Sequence, residues 1–189
     1  MDVERRVVYK LFDLRETGAL GKKLAFESTA DGSWMTVPCD ATLDDTLEKL
    51  CLLHEAGACP TEIIGLAATG DYLIAKQPLC QPFANLEEDR RTAAESIKAV
   101  MTSCFLGREV RVFWADGRAW CLGDLHQGNI MREVDGTPTI IDALIGALPP
   151  NVIRSLAALQ TAIHRSRLWW ETGNLISDDP FSGIADDEL

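Results

Sequence analysis

Hydrophobic residues recur along this chain with two periods, and the periods sort it into strands and helices. Residues 7–12, VVYKLF, place Val8, Lys10 and Phe12 on one side and Val7, Tyr9 and Leu11 on the other, the two-residue repeat of a strand. Residues 61–67 and 71–76 are two more apolar runs joined by Ala68-Thr69-Gly70, a hairpin turn, and Pro78 ends the second because it has no N–H to give a ladder. Asp116-Gly117 and Asp135-Gly136 mark two further hairpins, joining 109–114 to 118–122 and 130–133 to 139–142. DGSW at 31–34 reads as a turn between short strands. The helical period appears three times. Residues 40–55 carry Leu43, Leu47, Leu50 and Leu53 on one face, with Asp40 or Thr42 as cap and Gly57 and Pro60 as stop. Residues 85–100 open on a capping Asn85, and residues 151 to about 172 follow Pro149-Pro150 as one amphipathic helix. Mixed strands and helices in this order make an α+β protein.

Composition narrows the function classes. The chain has 189 residues, 47% of them hydrophobic, enough for a substantial core in one domain or two small lobes. A net charge of −11 speaks against nucleic acid or an anionic membrane as partner, since both are held by basic surfaces. No apolar run reaches the roughly 18 residues of a membrane span, and the charged start MDVERRVVYKLFD lacks the apolar segment of a signal peptide, so a cytoplasmic location is expected. Six cysteines are scattered without CxxC or Cys/His pairs, which fits reduced, mostly buried thiols rather than zinc or a disulfide scaffold. Residues 177–189 hold five acidic residues and no basic one, an acidic flexible tail.

The chemistry concentrates in LGDLHQGNIMREVDGTPTIIDAL, residues 122–144. Asp124, Asn129 and Asp142 stand at the ends of two apolar runs, Ala119 to Leu122 and Thr139 to Ile141, which look like the two edges of a hairpin. Strand ends gain nothing from unpaired carboxylates, so three oxygen-bearing side chains there suggest a bound cation. TGALGKK at 17–23 is not a P-loop, because Lys23 stands where GxxxxGK[ST] requires Ser or Thr.

An Asp, an Asn five residues on and an Asp thirteen beyond it, behind two β-branched residues, resembles the catalytic loop and metal-binding strand of protein-kinase-like phosphotransferases. GDLHQGN followed by IIDA is most similar to atypical kinases, aminoglycoside phosphotransferases and the kinase modules of polyvalent proteins of mobile elements. The resemblance spans about residues 7–148. It implies a minimal two-lobed fold: a small lobe of sheet and one helix at 1–79, then a reduced large lobe with the catalytic loop at 80–176. With nine residues ahead of Lys10, the glycine-rich loop over the phosphates is expected to be lacking. By the resemblance Asp124 is the catalytic base, His126 approaches the transferred phosphate, and Asn129 and Asp142 hold magnesium. Lys10 paired with Glu48 holds the ATP phosphates, and the backbone of Gln77 and Leu79 meets the adenine. The expected activity is Mg-ATP-dependent phosphorylation of a hydroxyl. The alternative is a pseudokinase or inhibitor module that binds a protein partner without catalysis.

Overall fold

The structure is a computed structural model that describes residues 2, 4–16, 18–105 and 109–175. The acidic tail at 177–189, Thr17 and Gly107-Arg108 lie outside the described residues. In chain order the elements are β1 (Val7–Asp13), β2 (Lys22–Ser28), β3 (Trp34–Asp40), α1 (Leu43–Ala56), β4 (Glu62–Leu66), β5 (Tyr72–Pro78), β6 (Gln81–Pro82), α2 (Leu86–Ser96), β7 (Val100–Thr102), β8 (Val110–Ala115), β9 (Arg118–Gly123), β10 (Ile130–Arg132), β11 (Pro138–Ile140), β12 (Leu144–Ala147), α3 (Pro150–Ser155) and α4 (Ala157–Thr172). The strands form four small antiparallel sheets, ordered β1-β5-β4, β2-β3, β12-β9-β8-β7 and β11-β10-β6. The α+β class is borne out. Among the described residues no helix is long and apolar enough to cross a membrane.

The sheet β12-β9-β8-β7 is the centre of the molecule. VRVFWA and RAWCLG are nearly continuous apolar runs because they are covered on both faces. Phe113, Trp120 and Leu122 pack on one side with Leu52, Leu53 and Ala56 of α1, Ala93 and Ala94 of α2, and Ile130 and Ile140. Val110, Val112 and Cys121 pack on the other with Leu24 of β2, Val152 of α3 and Leu159 and Ala162 of α4. The first core therefore draws side chains from both sides of residue 79. Asp116 and Gly117, both at positive φ, make the tight β8–β9 turn that their sequence announces.

Three expectations are corrected. The runs at 119–122 and 139–141 are not partners: β9 lies between β8 and β12, whereas β11 pairs with β10. Each thus carries its own acidic end towards a shared space. The last helix is two, because Leu156 is extended (φ −126°, ψ 101°) and separates α3 from α4. Of the expected face of α1, Leu50 and Leu53 are buried but Leu43 and Leu47 only half-buried, and Thr46, Lys49, Leu52 and Ala56 are buried beside them, so that Lys49 turns inward. Of the cysteines, Cys59, Cys80 and Cys121 are buried and Cys51 is exposed.

The β2–β3 hairpin sits on the central sheet through a close backbone approach. A Cβ on Gly146 of β12 would lie 2.2 Å from the carbonyl oxygen of Leu24, so glycine is required there. The loop entering β2 is held as firmly. The buried Thr46 hydroxyl donates to the Leu20 carbonyl at 2.8 Å, and the Ala41 amide donates to that of Gly21 at 3.0 Å.

Candidate functional site

Alternation along β1 puts Lys10 on the side opposite Tyr9 and Leu11, both exposed. Its ammonium donates to the Ile141 carbonyl at 2.6 Å and stands 3.8 Å from Asp142 Oδ2. Lys49 reaches the same carboxylate from α1, with Nζ 2.9 Å from Oδ1, and its side chain is only 7% exposed. The Ala143 amide donates to Oδ1 as well, at 2.8 Å. Two ammonium groups from separate elements thus converge on one half-exposed carboxylate. Burial pushes the Asp142 carboxyl up, but Lys49 and Lys10 outweigh it and hold the group below the ordinary carboxylate range. Burial lowers Lys10 from the usual lysine range, partly offset by Asp142.

The second half of the site hangs from β9. Directly after Gly123, Asp124 adopts φ 65°, a left-handed conformation that Asp tolerates better than most residues. Asn129 closes the loop, its amide donating to the Asp124 carbonyl at 2.8 Å and lying 3.3 Å from Oδ2. The Ile141 amide donates to the Asn129 carbonyl at 2.9 Å, which ties this loop to the residue before Asp142. His126 Nδ1 accepts from the Gly128 amide at 2.9 Å, leaving Nε2 to carry the ring proton of the neutral form, 3.7 Å from Asp124 Oδ2. A Cβ on Gly128 would come within 2.8 Å of that ring.

These groups surround one cavity of about 220 Å³, lined by Gly21, Lys22, Lys49, Asp124, His126, Asn129, Asp142, Ala143 and Leu144. Asp124, His126, Asn129 and Asp142 are therefore brought together as expected, and Lys10 touches the site through Asp142. Glu48 is not. It is exposed on the opposite flank of α1 and pairs with Arg118, so the expected Lys10–Glu48 pair does not form. Gln77 points its buried side chain at Thr61 Oγ1 (2.8 Å) and at the Ile141 carbonyl (3.1 Å). The Leu79 amide already donates to the Arg6 carbonyl at 2.8 Å, so in this arrangement it is not free to meet an adenine.

Lys49 and the Gly21-Lys22 turn are the site residues that spacing missed. Lys49 had a signal: with Thr46, Leu50, Leu53 and Ala56 it lies on one stripe of α1 at i, i+3, i+4, i+7 and i+10, and a lysine inside an apolar stripe needs a partner. Gly21 and Lys22 were readable only as a failed P-loop, and tertiary packing alone puts them over the cavity.

Among the described residues no group of three or more His, Cys, Asp or Glu is placed to hold a metal. Asp142 and Asn129, with Asp124 opposite, offer oxygen donors that suit magnesium, which keeps several of its waters and needs only one or two carboxylates besides phosphate oxygens. No family model matches the chain, and no curated protein or solved structure matches it.

Proposed function

We propose that this chain is a phosphotransferase of two-lobed, protein-kinase-like architecture that moves a phosphoryl group from magnesium-bound ATP to a hydroxyl. One observation carries the reading. Lys49 of α1, Asp124 after β9, Asn129 before β10 and Asp142 after β11 line a single polar cavity, and Lys10 of β1 stands behind it on Asp142. Phosphoryl transfer asks for little else than cations to hold phosphates, oxygen ligands for a metal and a carboxylate for the attacking hydroxyl.

In this reading Lys49, with Lys10 behind it, supplies the positive charge that would face phosphate oxygens. Asp142 and Asn129 hold magnesium, which neutralises charge on the phosphates when bound. Asp124, fixed at the loop entrance by Asn129, orients the acceptor hydroxyl and takes its proton. His126 directs Nε2 to the same space. Gly21 and Lys22, from the loop that enters β2, line the same cavity. The test is calorimetric titration with ATP and magnesium, paired with ADP release from ATP. Magnesium-dependent binding lost in Asp142→Asn, and turnover lost in Asp124→Asn, are expected. Wild-type protein that neither binds nor turns over ATP would overturn the assignment.

A second reading, a binding module without turnover, is favoured by a separate observation. The β1-β5-β4 sheet leaves Leu11 61% and Leu66 60% exposed, with Tyr9, on the same face as Leu11, and Ile64 also exposed. Protein-partner binding that survives both substitutions would distinguish it.

A further inference from the structure

Beside the cavity of the two lysines lies a second one, of about 250 Å³, lined by Arg90, Glu109, Arg111, Leu122, Asp124, Leu125 and His126. The two share Asp124 and His126, so this second space opens on the proposed base from another side. Its basic residues lack a structural explanation. Arg111 lies in the middle of the central sheet, opposite Leu122 in the β8–β9 register and between buried Val110 and Val112. It is 8% exposed, and its Nε has no hydrogen-bond partner among the described residues. The same holds for the buried Nε of Arg90 on α2. One carboxylate, the half-exposed Glu109, serves both guanidinium groups, 3.5 Å from Arg111 Nη2 and 3.6 Å from Arg90 Nη1. Glu87 adds only a 3.8 Å contact to Arg90.

Burying a guanidinium is expensive unless its donors are satisfied, and here the two share Glu109 at 3.5 and 3.6 Å, with Glu87 only at 3.8 Å from Arg90. Guanidinium groups on a cavity wall match the oxygens of a phosphate or carboxylate, which their planar forks bind two at a time. We infer that Arg90 and Arg111 form an anion subsite that selects acceptors carrying a phosphate or carboxylate group beside the hydroxyl to be phosphorylated. The acceptor role rests on the phosphotransferase reading; the anion binding does not. A polycationic acceptor is disfavoured by the same geometry, since it would set ammonium groups against the two guanidiniums.

The experiment titrates the full chain with inorganic phosphate and, separately, succinate. Saturable binding is expected, weakened roughly tenfold or more in Arg111→Gln and in Arg90→Gln. Arg111→Lys, which keeps the charge and loses the fork, should fall between. Circular dichroism checks folding, and the more exposed Arg90 decides should Arg111→Gln not fold. Mg-ATP binding should be unchanged in both glutamine variants, and phosphate binding unchanged in Asp142→Asn. Absence of saturable binding, or binding lost in Lys49→Met yet intact in both arginine variants, overturns the subsite. Arginine-dependent phosphate binding in a protein that does not bind Mg-ATP would keep the subsite and sink the phosphotransferase reading.

Discussion

Lys49 and Asp142 are 93 positions apart in the chain and 2.9 Å apart in the fold. The contact gives the helix α1 a cation at the site where a carboxylate, Glu48, was expected, and it makes two substitutions at neighbouring positions differ sharply. Lys49→Met should cut Mg-ATP affinity and ADP release by about a hundredfold, the scale of losing one aligned electrostatic donor. Glu48→Gln, which touches only the Arg118 pair, should leave both unchanged. Calorimetry and steady-state kinetics on the two variants check this.

Asp124 is best replaced by Asn. Ala would be strained at φ 65°, whereas Asn accepts the left-handed conformation, so the carboxylate's chemistry is removed without its backbone. Turnover should fall about 10²- to 10⁴-fold with Mg-ATP affinity retained. Equal turnover in Asp124→Asn and wild type would remove the base from the mechanism.

The pH dependence of stability has a fixed sign. Asp142 is held low by the two lysines against the opposing effect of burial, and Asp89, whose side chain is sealed from solvent, is held low by Arg132 at 2.7 and 2.8 Å and by the Ala84 amide. Groups with a lowered folded-state pKa contribute stability that is fully present above the unfolded value, near 4, and is lost as pH falls through the folded one. Urea midpoints should therefore hold from neutral pH down to about 5 and drop below it. Asp89→Ala should lower the urea midpoint at neutral pH, since it removes the carboxylate that Arg132 and the Ala84 amide hold, with the deficit shrinking in acid.

Gly146→Ala tests the seating of the β2–β3 hairpin. The new methyl would collide with the Leu24 backbone, which cannot rotate away as a side chain could, and a loss of about 2 kcal/mol or more is expected. Because β2 carries the Gly21-Lys22 turn to the cavity, Mg-ATP affinity should fall with it. Chemical denaturation and calorimetry would show whether the two losses go together.

Much of this was legible in the residues. Strand alternation found β1 and Lys10, turn chemistry found the β8–β9 and β10–β11 hairpins, and spacing alone drew Asp124, Asn129 and Asp142 into one set. The Leu122–Leu144 stretch, however, reads as two hairpin edges only because sequence cannot see that β12 comes back to pair with β9. The face of α1 was misjudged for a related reason. Leu50 and Leu53 are buried as their period implies, but Leu43 and Leu47 stay half-buried while Thr46 and Lys49 are buried, since the polar ends of these two find Leu20 and Asp142 in distant segments. The short strands β7 and β12 carry too few residues for a period to register; the four-stranded sheet supplies their order.

The contact of Leu24 with Gly146 also sets a timetable. During synthesis the β2–β3 hairpin can close on itself early, but its seat on β12 does not exist until residue 146 has been made, and joining the two closes a loop of most of the chain. Lys49 likewise waits for Asp142. The cavity therefore cannot close until Asp142 has been made, and a nascent chain stopped before β9 holds the basic half of the site without the acidic half.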